Sequence, residues 1–352
     1  MDERSDNFSL LRLVLAAAVV VSHGYSIPTG DNTLEPLFHA TGLRLGEHAV
    51  NCFFTISGFL VTMSFLNRGP RDYVIARLLR IVPGFVVAAL VTVFGIGLAF
   101  TVLPSIGYVT DPATWRYLMQ VLTGFKSAGA MPGVFLDNPH PWPMGTVWTL
   151  RYEIALYGGV LLAGIAGLLQ RWIFVVLLAS ALLVTTIMMD AFWPDAGKYV
   201  MTMLRLVLMF ALGAAFYLGR DGVRLSWLGL AALALATWVS FTTPFYFALL
   251  YVTEAYGILM LAFAMRLPLV SWLVSWSDRA DLSYGMYLYG WPIQQALVAL
   301  HPKAEPVALL APALLLSALA GFLSWTLIEK PALTLKSVLA GQRLRFGAGQ
   351  GT

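Results

Sequence analysis

The sequence predicts an all-α, polytopic integral membrane protein with about ten transmembrane helices and both termini on the cytoplasmic side. Three observations carry that prediction. The 352 residues are 59% hydrophobic and only 11% charged, with a mean hydropathy of +0.77; soluble domains carry about 25% charged residues. Ten apolar runs are long enough to span a bilayer. The basic residues fall into the short connections between those runs in an alternating pattern.

The first run, near 8–27, reads "FSLLRLVLAAAVVVSHGYSIP". It lacks a small-x-small cleavage site, so it is expected to be a retained helix and not a removed signal peptide. The second, near 46–67, holds "NCFFTISGFLVTM", and the third, near 75–103, opens with "YVIARLLRIVP". Residues 104–145 then form a long connection rich in Pro, Gly and aromatics, with a weakly apolar stretch, "TWRYLMQVLTGF", that lies on or dips into the membrane. A connection of that length is more often functional than decorative. The fourth run, near 146–168, starts "GTVWTLRYEIALYG". Runs near 172–190, 199–218, 225–241, 244–265, 282–300 and 306–328 follow, the one at 225–241 short enough to be tilted or partly buried. Residues 1–338 read as one membrane domain and 339–352 as a flexible cytoplasmic tail. No internal repeat and no second soluble domain is visible.

Orientation follows from counting cations. With the N-terminus inside, the inner segments hold Arg4, Arg12, Arg68, Arg71, Arg77, Arg80, Arg171, Arg220, Arg224, Arg266, Arg279, Lys330, Lys336, Arg343 and Arg345. The outer segments hold only Arg44, Arg116, Lys126, Lys198 and Lys303. The net charge of +4 therefore reflects membrane topology and not nucleic-acid binding. The single cysteine, Cys52, excludes an internal disulfide and a cysteine-built metal site, and no metal is expected.

Ionisable groups inside the spans are costly and default to functional or paired roles. His23 follows Arg12 by eleven residues, which returns it almost to the same helix face about 16 Å further along. Arg77 and Arg80 share a face at the inner end of the third run. They are either snorkelling anchors or a guanidinium clamp for phosphate, which Arg12 would join. Glu153 enters the fourth run at a depth resembling that of His23. It either pairs with His23 as a general-base unit or is held by Arg151 or Arg205. Arg205 and Glu254 can also neutralise each other. Ser57-Gly58, in mid-span, permits close helix packing or lines the substrate path. Glu329 and Pro331 close the last run.

Several stretches together resemble a known family. "FSLLRLVLAAAVVVSHGY" has its arginine, ten residues, then histidine. "FFTISGFLVT", "ARLLRIVP", "VWTLRYEIALY", "LSYGMYLYGWPIQQ" and "SWTLIEKPAL" follow in the family's order from about residue 8 to 333. The chain thus resembles acyltransferase family 3, integral-membrane enzymes that acylate sugars and other acceptors. It is similar to the short form, without an appended esterase-like domain. The resemblance implies ten membrane helices, an acyl-CoA donor (acetyl-CoA most often) and a hydroxyl acceptor on a sugar, glycan or glycolipid. It implies residence in the bacterial inner membrane. By motif, His23 would be the catalytic base. Glu153 would belong to the catalytic site, and Arg12, Arg77 and Arg80 would bind the donor. Ser57 and Trp148 would serve the oxyanion region. Trp142, with His140 and Trp115, would shape the acceptor side.

On this reading CoA phosphates dock at the inner arginines and the pantetheine arm threads inward. Its reach, on the order of 15–20 Å, matches the Arg12-to-His23 offset. The acceptor oxygen attacks the thioester as His23 takes its proton. The competing class is a transporter or flippase of a polar or anionic substrate. Against it, the paired repeats with broken helices that mark alternating access are missing from the sequence.

Overall fold

A computed structural model of the chain describes residues 7–193, 195, 197–264, 274, 277 and 280–335. The tail expected at 339–352 lies outside the described residues, as do Arg4, Arg266, Arg279, Lys336, Arg343 and Arg345 of the charge pattern. The described residues are helical throughout their ordered elements, with one isolated antiparallel bridge, Thr101 to Val134.

Each of the ten apolar runs falls on a helix. They are α1 (Phe8–Thr29), α2 (Leu45–Arg68), α3 (Pro70–Leu90), α4 (Trp148–Ile165), α5 (Trp172–Phe192), α6 (Lys198–Leu218), α7 (Trp227–Val239), α8 (Tyr246–Ala264), α9 (Ser283–Leu300) and α10 (Pro306–Ser324). Wider turns extend two of them, Val91–Ile96 after α3 and Trp325–Glu329 after α10. Seven helical stretches are long and apolar enough to cross a membrane: Phe8–Thr29, Leu45–Arg68, Pro70–Phe100, Trp172–Phe192, Lys198–Leu218, Tyr246–Phe263 and Pro306–Leu335. The charges of α4, the Tyr, Gly and Gln content of α9 and the thirteen residues of α7 keep those three outside that set. The chain is an all-α multi-pass membrane protein.

The described residues form two compact units. The first takes residues 7–15, 46–70 and 152–264. Its core gathers Phe8 and Leu11 of α1 with Ile56 and Phe59, Tyr217, and Ile258, Leu259 and Ala262. Asn7 ties the start of α1 to the end of α8, its backbone N–H donating to the Ala262 carbonyl at 3.2 Å and its Nδ2 to the Leu261 carbonyl at 3.2 Å. Helices α2 and α6 meet backbone to backbone. A Cβ on Gly58 would lie 2.0 Å from the Phe210 carbonyl oxygen, and one on Gly213 would lie 2.0 Å from that of Thr55. Gly58 is thus a packing residue, one of the two readings open from sequence.

The second unit takes 16–45, 71–151 and 280–335. Its core joins α3 and α9 to the long connection, with Phe85, Ala88 and Val93 against Tyr108, Tyr117, Val121, Met131, Met144 and Leu288. The connection is therefore a folded cap. Tyr108, fully buried, donates its hydroxyl to the Val93 carbonyl at 2.9 Å inside the wide turn. The weakly apolar stretch forms a helix, Pro112–Gly124, capped by Asp111 accepting from the Ala113 N–H at 2.8 Å.

Candidate active site

In the second unit, α1 and α9 bring His23 against Trp291. The ring centroids are 4.9 Å apart and the planes meet at 81°, edge to face. The indole N–H is already committed, donating to the Trp142 carbonyl at 2.6 Å. Trp142 in turn stacks on His140, centroids 5.0 Å apart at 21°, and His140 lies 6.4 Å from the Trp291 ring. Four rings from three parts of the chain therefore form one cluster: His23, His140, Trp142 and Trp291.

Backbone hydrogen bonds hold that cluster in place. Gln295, fully buried, donates its amide to the carbonyls of His140 and Trp142. Asn138 donates to the Gln295 side-chain oxygen at 2.7 Å and to its carbonyl at 2.9 Å. Gly145 brings the connection onto the indole, for a Cβ there would lie 2.2 Å from the Trp291 ring. Trp148, half-buried, opens α4. Beside it Thr149 and Tyr287 hydroxyls lie 2.6 Å apart, and Tyr287 donates to the Thr146 carbonyl at 3.1 Å. Trp115 stands elsewhere, its ring 5.3 Å from Phe94 and its N–H on the Val109 carbonyl.

His23 is half-buried. Arg44 and His140 are the charged or titratable groups whose fields reach its ring. Among the described residues no group hydrogen-bonds the His23 imidazole. Burial pushes His140 below the ordinary imidazole value of 6.5, so it is neutral at pH 7.

Arg80 is closely held. It donates to Asp281 at 2.7 Å and to Glu329 at 3.4 Å, and its guanidinium sits 5.7 Å from the Tyr284 ring centroid. Both carboxylates are themselves bonded. Ser324 donates to Glu329 at 2.8 Å, and Ser283 donates its N–H and hydroxyl to Asp281. Tyr284 donates to the Ile81 carbonyl at 2.9 Å. The cluster joins α3, α9 and the wide turn after α10. Arg77 stands one turn earlier on α3, and its charge reaches the Tyr73 hydroxyl four residues before it.

The remaining sequence-predicted residues belong to the first unit. Arg12 rides on α1, a single continuous helix that also carries His23. Ser57 is half-buried beside Gly58 on α2. Glu153 accepts a short hydrogen bond from the Tyr157 hydroxyl one turn along α4. Arg205 pairs with Glu47 at 3.2 Å, and Glu254 is held by His48 and by the Asn51 amide at 2.8 Å. Both Arg205 and Glu254 thus bond to α2, where sequence had suggested each other as partner.

Trp291, Gln295, Asn138, Asp281 and Glu329 were missed as site-forming residues. Asn138 and Trp291 gave no periodic signal. Glu329 looked like part of a helix stop, although a carboxylate at the end of an apolar run was itself a signal.

Comparison with known proteins follows the same lines. Residues 6–328 match the family model described as an acyltransferase domain, Acyl_transf_3. The chain belongs to that family. It is 28% identical to "Nodulation protein 10" of Rhizobium leguminosarum bv. viciae, across 96% of each chain. It is 26% identical to "O-acetyl transferase" of Shigella phage Sf6, across 95% of this chain and 98% of that one. No solved structure matches it.

Proposed function

We propose that the protein moves an acyl group, acetyl first among them, from cytosolic acyl-CoA to a hydroxyl of a sugar, glycan or glycolipid. We place it in the bacterial inner membrane, with ten crossings and both termini in the cytosol. Membership of the acyltransferase family supports the reaction class, and similarity to the phage O-acetyl transferase over nearly the whole chain supports an oxygen acceptor and an acetyl group. The single observation that carries the reading is the His23 imidazole, set edge-on to Trp291 with no hydrogen bond to its ring among the described residues. A ring nitrogen of that imidazole is then open to a substrate proton.

The steps balance simply. His23 accepts the proton of the acceptor hydroxyl as its oxygen bonds to the thioester carbonyl carbon. The carbon–sulfur bond then breaks, and the thiolate leaves as thiol with that proton. Donors near Ser57 or Trp148 steady the developing oxyanion. The stacked His140 and Trp142 offer flat faces for sugar C–H groups, as aromatic rings do. Arg77 joins Arg80, which also faces Asp281 and Glu329, in taking the CoA phosphates. Arg12, Ser57 and Glu153 enter through the sequence motifs alone.

The test is incubation of purified protein with labelled acetyl-CoA, with and without cell-envelope glycans. Acceptor-dependent thiol release and a gain of one acetyl group on the glycan are expected. Retention of intact acetyl-CoA with net movement of solute across vesicles would instead indicate a transporter.

A further inference from the structure

Gln294 lies three residues beyond Trp291 on α9, so the two side chains share a face. Trp291 touches His23, and Gln294 lies against the next residue of α1. A Cβ on Gly24 would stand 3.5 Å from Gln294 Oε1 and 2.3 Å from Leu310 of α10. Gln294 is 4% exposed. Its Nε2 donates to the Gly290 carbonyl at 3.2 Å, while its Oε1 is buried with no hydrogen-bond partner. The Gly290 bond fixes which end is oxygen, since the flipped amide would set two oxygens against each other.

An orphan acceptor in an apolar seam is a cost without return unless something binds it. Ser317, also buried without a partner, differs in kind. A serine hydroxyl can turn onto the helix carbonyl four residues back. An amide oxygen cannot donate and has no such escape.

We infer that Gln294 Oε1 is a substrate-binding acceptor beside His23, taking a hydrogen bond from an N–H or O–H of a reactant. This rests on the acyltransfer reading for the identity of the reactants. Two sources have that chemistry, the amides of the pantetheine arm and the acceptor hydroxyl. The oxygen orients that group relative to the His23 ring.

The experiment uses full-length purified protein. Thiol release from acetyl-CoA is measured with a cell-envelope glycan extract as acceptor, each varied in turn, for wild type, Gln294→Met and Ser317→Ala. Gln294→Met keeps length and removes the acceptor. It is expected to raise the apparent KM for one substrate about tenfold, with kcat changed less. A rise for acetyl-CoA assigns the donor amide, and a rise for the glycan assigns the acceptor hydroxyl. Gln294→Met also removes the Nε2 bond to the Gly290 carbonyl, so its ligand-free unfolding midpoint should fall only slightly, no described residue being bonded to Oε1. Ser317→Ala should leave both KM values unchanged.

Unchanged KM values in Gln294→Met would overturn the inference, as would an equal rise in Ser317→Ala. A wild type that consumes no acetyl-CoA would contradict the acyltransfer reading.

Discussion

The imidazole of His23 meets the indole of Trp291 edge to face, with 4.9 Å between ring centroids, while the indole N–H is bound to the Trp142 carbonyl. The indole therefore sets the position of the imidazole without consuming either of its nitrogens. Trp291→Phe keeps a ring beside His23 but removes one of the two donors to the Trp142 carbonyl, leaving Gln295. It is expected to cost about 1 kcal/mol of stability and to weaken acceptor use more than donor use, read as a KM split. Trp291→Ala opens a cavity in a 7%-exposed site and is expected to cost about 3–5 kcal/mol, read as thermal inactivation in detergent.

Arg80 and Arg77 are read by different measurements. Arg80→Gln removes the guanidinium that faces Glu329, 1% exposed, and Asp281, and is expected to cost about 3 kcal/mol. Adding Glu329→Gln should recover much of that loss. Arg77→Gln is expected to raise the KM for acetyl-CoA about tenfold or more. An unchanged KM for acetyl-CoA in Arg77→Gln would contradict its place at the phosphates.

Gly213→Val tests the crossing of α2 and α6. Its first carbon would fall 2.0 Å from the Thr55 carbonyl oxygen, a backbone atom that cannot rotate away. A loss of about 3 kcal/mol is expected, read as a lower unfolding midpoint. Gly158→Ala, in mid-α4 where a Cβ meets nothing within 4 Å, should leave the midpoint equal to or slightly above that of wild type.

His140 carries a pH dependence of known sign. Its proton affinity is lowered in the folded chain by burial. The unfolded chain therefore takes up the proton first as pH falls through about 6.5, and that uptake favours unfolding. Stability contributed by neutral His140 is complete above that value and declines below it, toward the lowered folded value. Between pH 7.5 and 5.5 the midpoint of wild type should fall further than that of His140→Phe, which keeps a ring to stack on Trp142.

Much of this was legible in sequence because it depends on local composition. Each apolar run became a helix, since a chain in lipid must satisfy its own backbone. Gly58 announced a close crossing because a glycine in mid-helix is otherwise a cost. Trp142 and His140 did assemble near His23. What sequence withheld depends on helix rotation. Arg205 and Glu254 found Glu47, His48 and Asn51 on α2, because those residues face them and the choice of facing helix is not local. Glu329 ends a wide turn, Trp325–Glu329, that delivers its carboxylate to Arg80. No periodic pattern marks such a turn. The Tyr157–Glu153 bond could have been found, since four residues on a helix bring side chains together.

The most direct measurement is acceptor-dependent thiol release from acetyl-CoA by His23→Ala, beside CoA binding to the same protein. Loss of transfer by at least a hundredfold with CoA binding retained is expected of a general base. Turnover near that of wild type would mean that the imidazole on Trp291 takes no proton in the reaction.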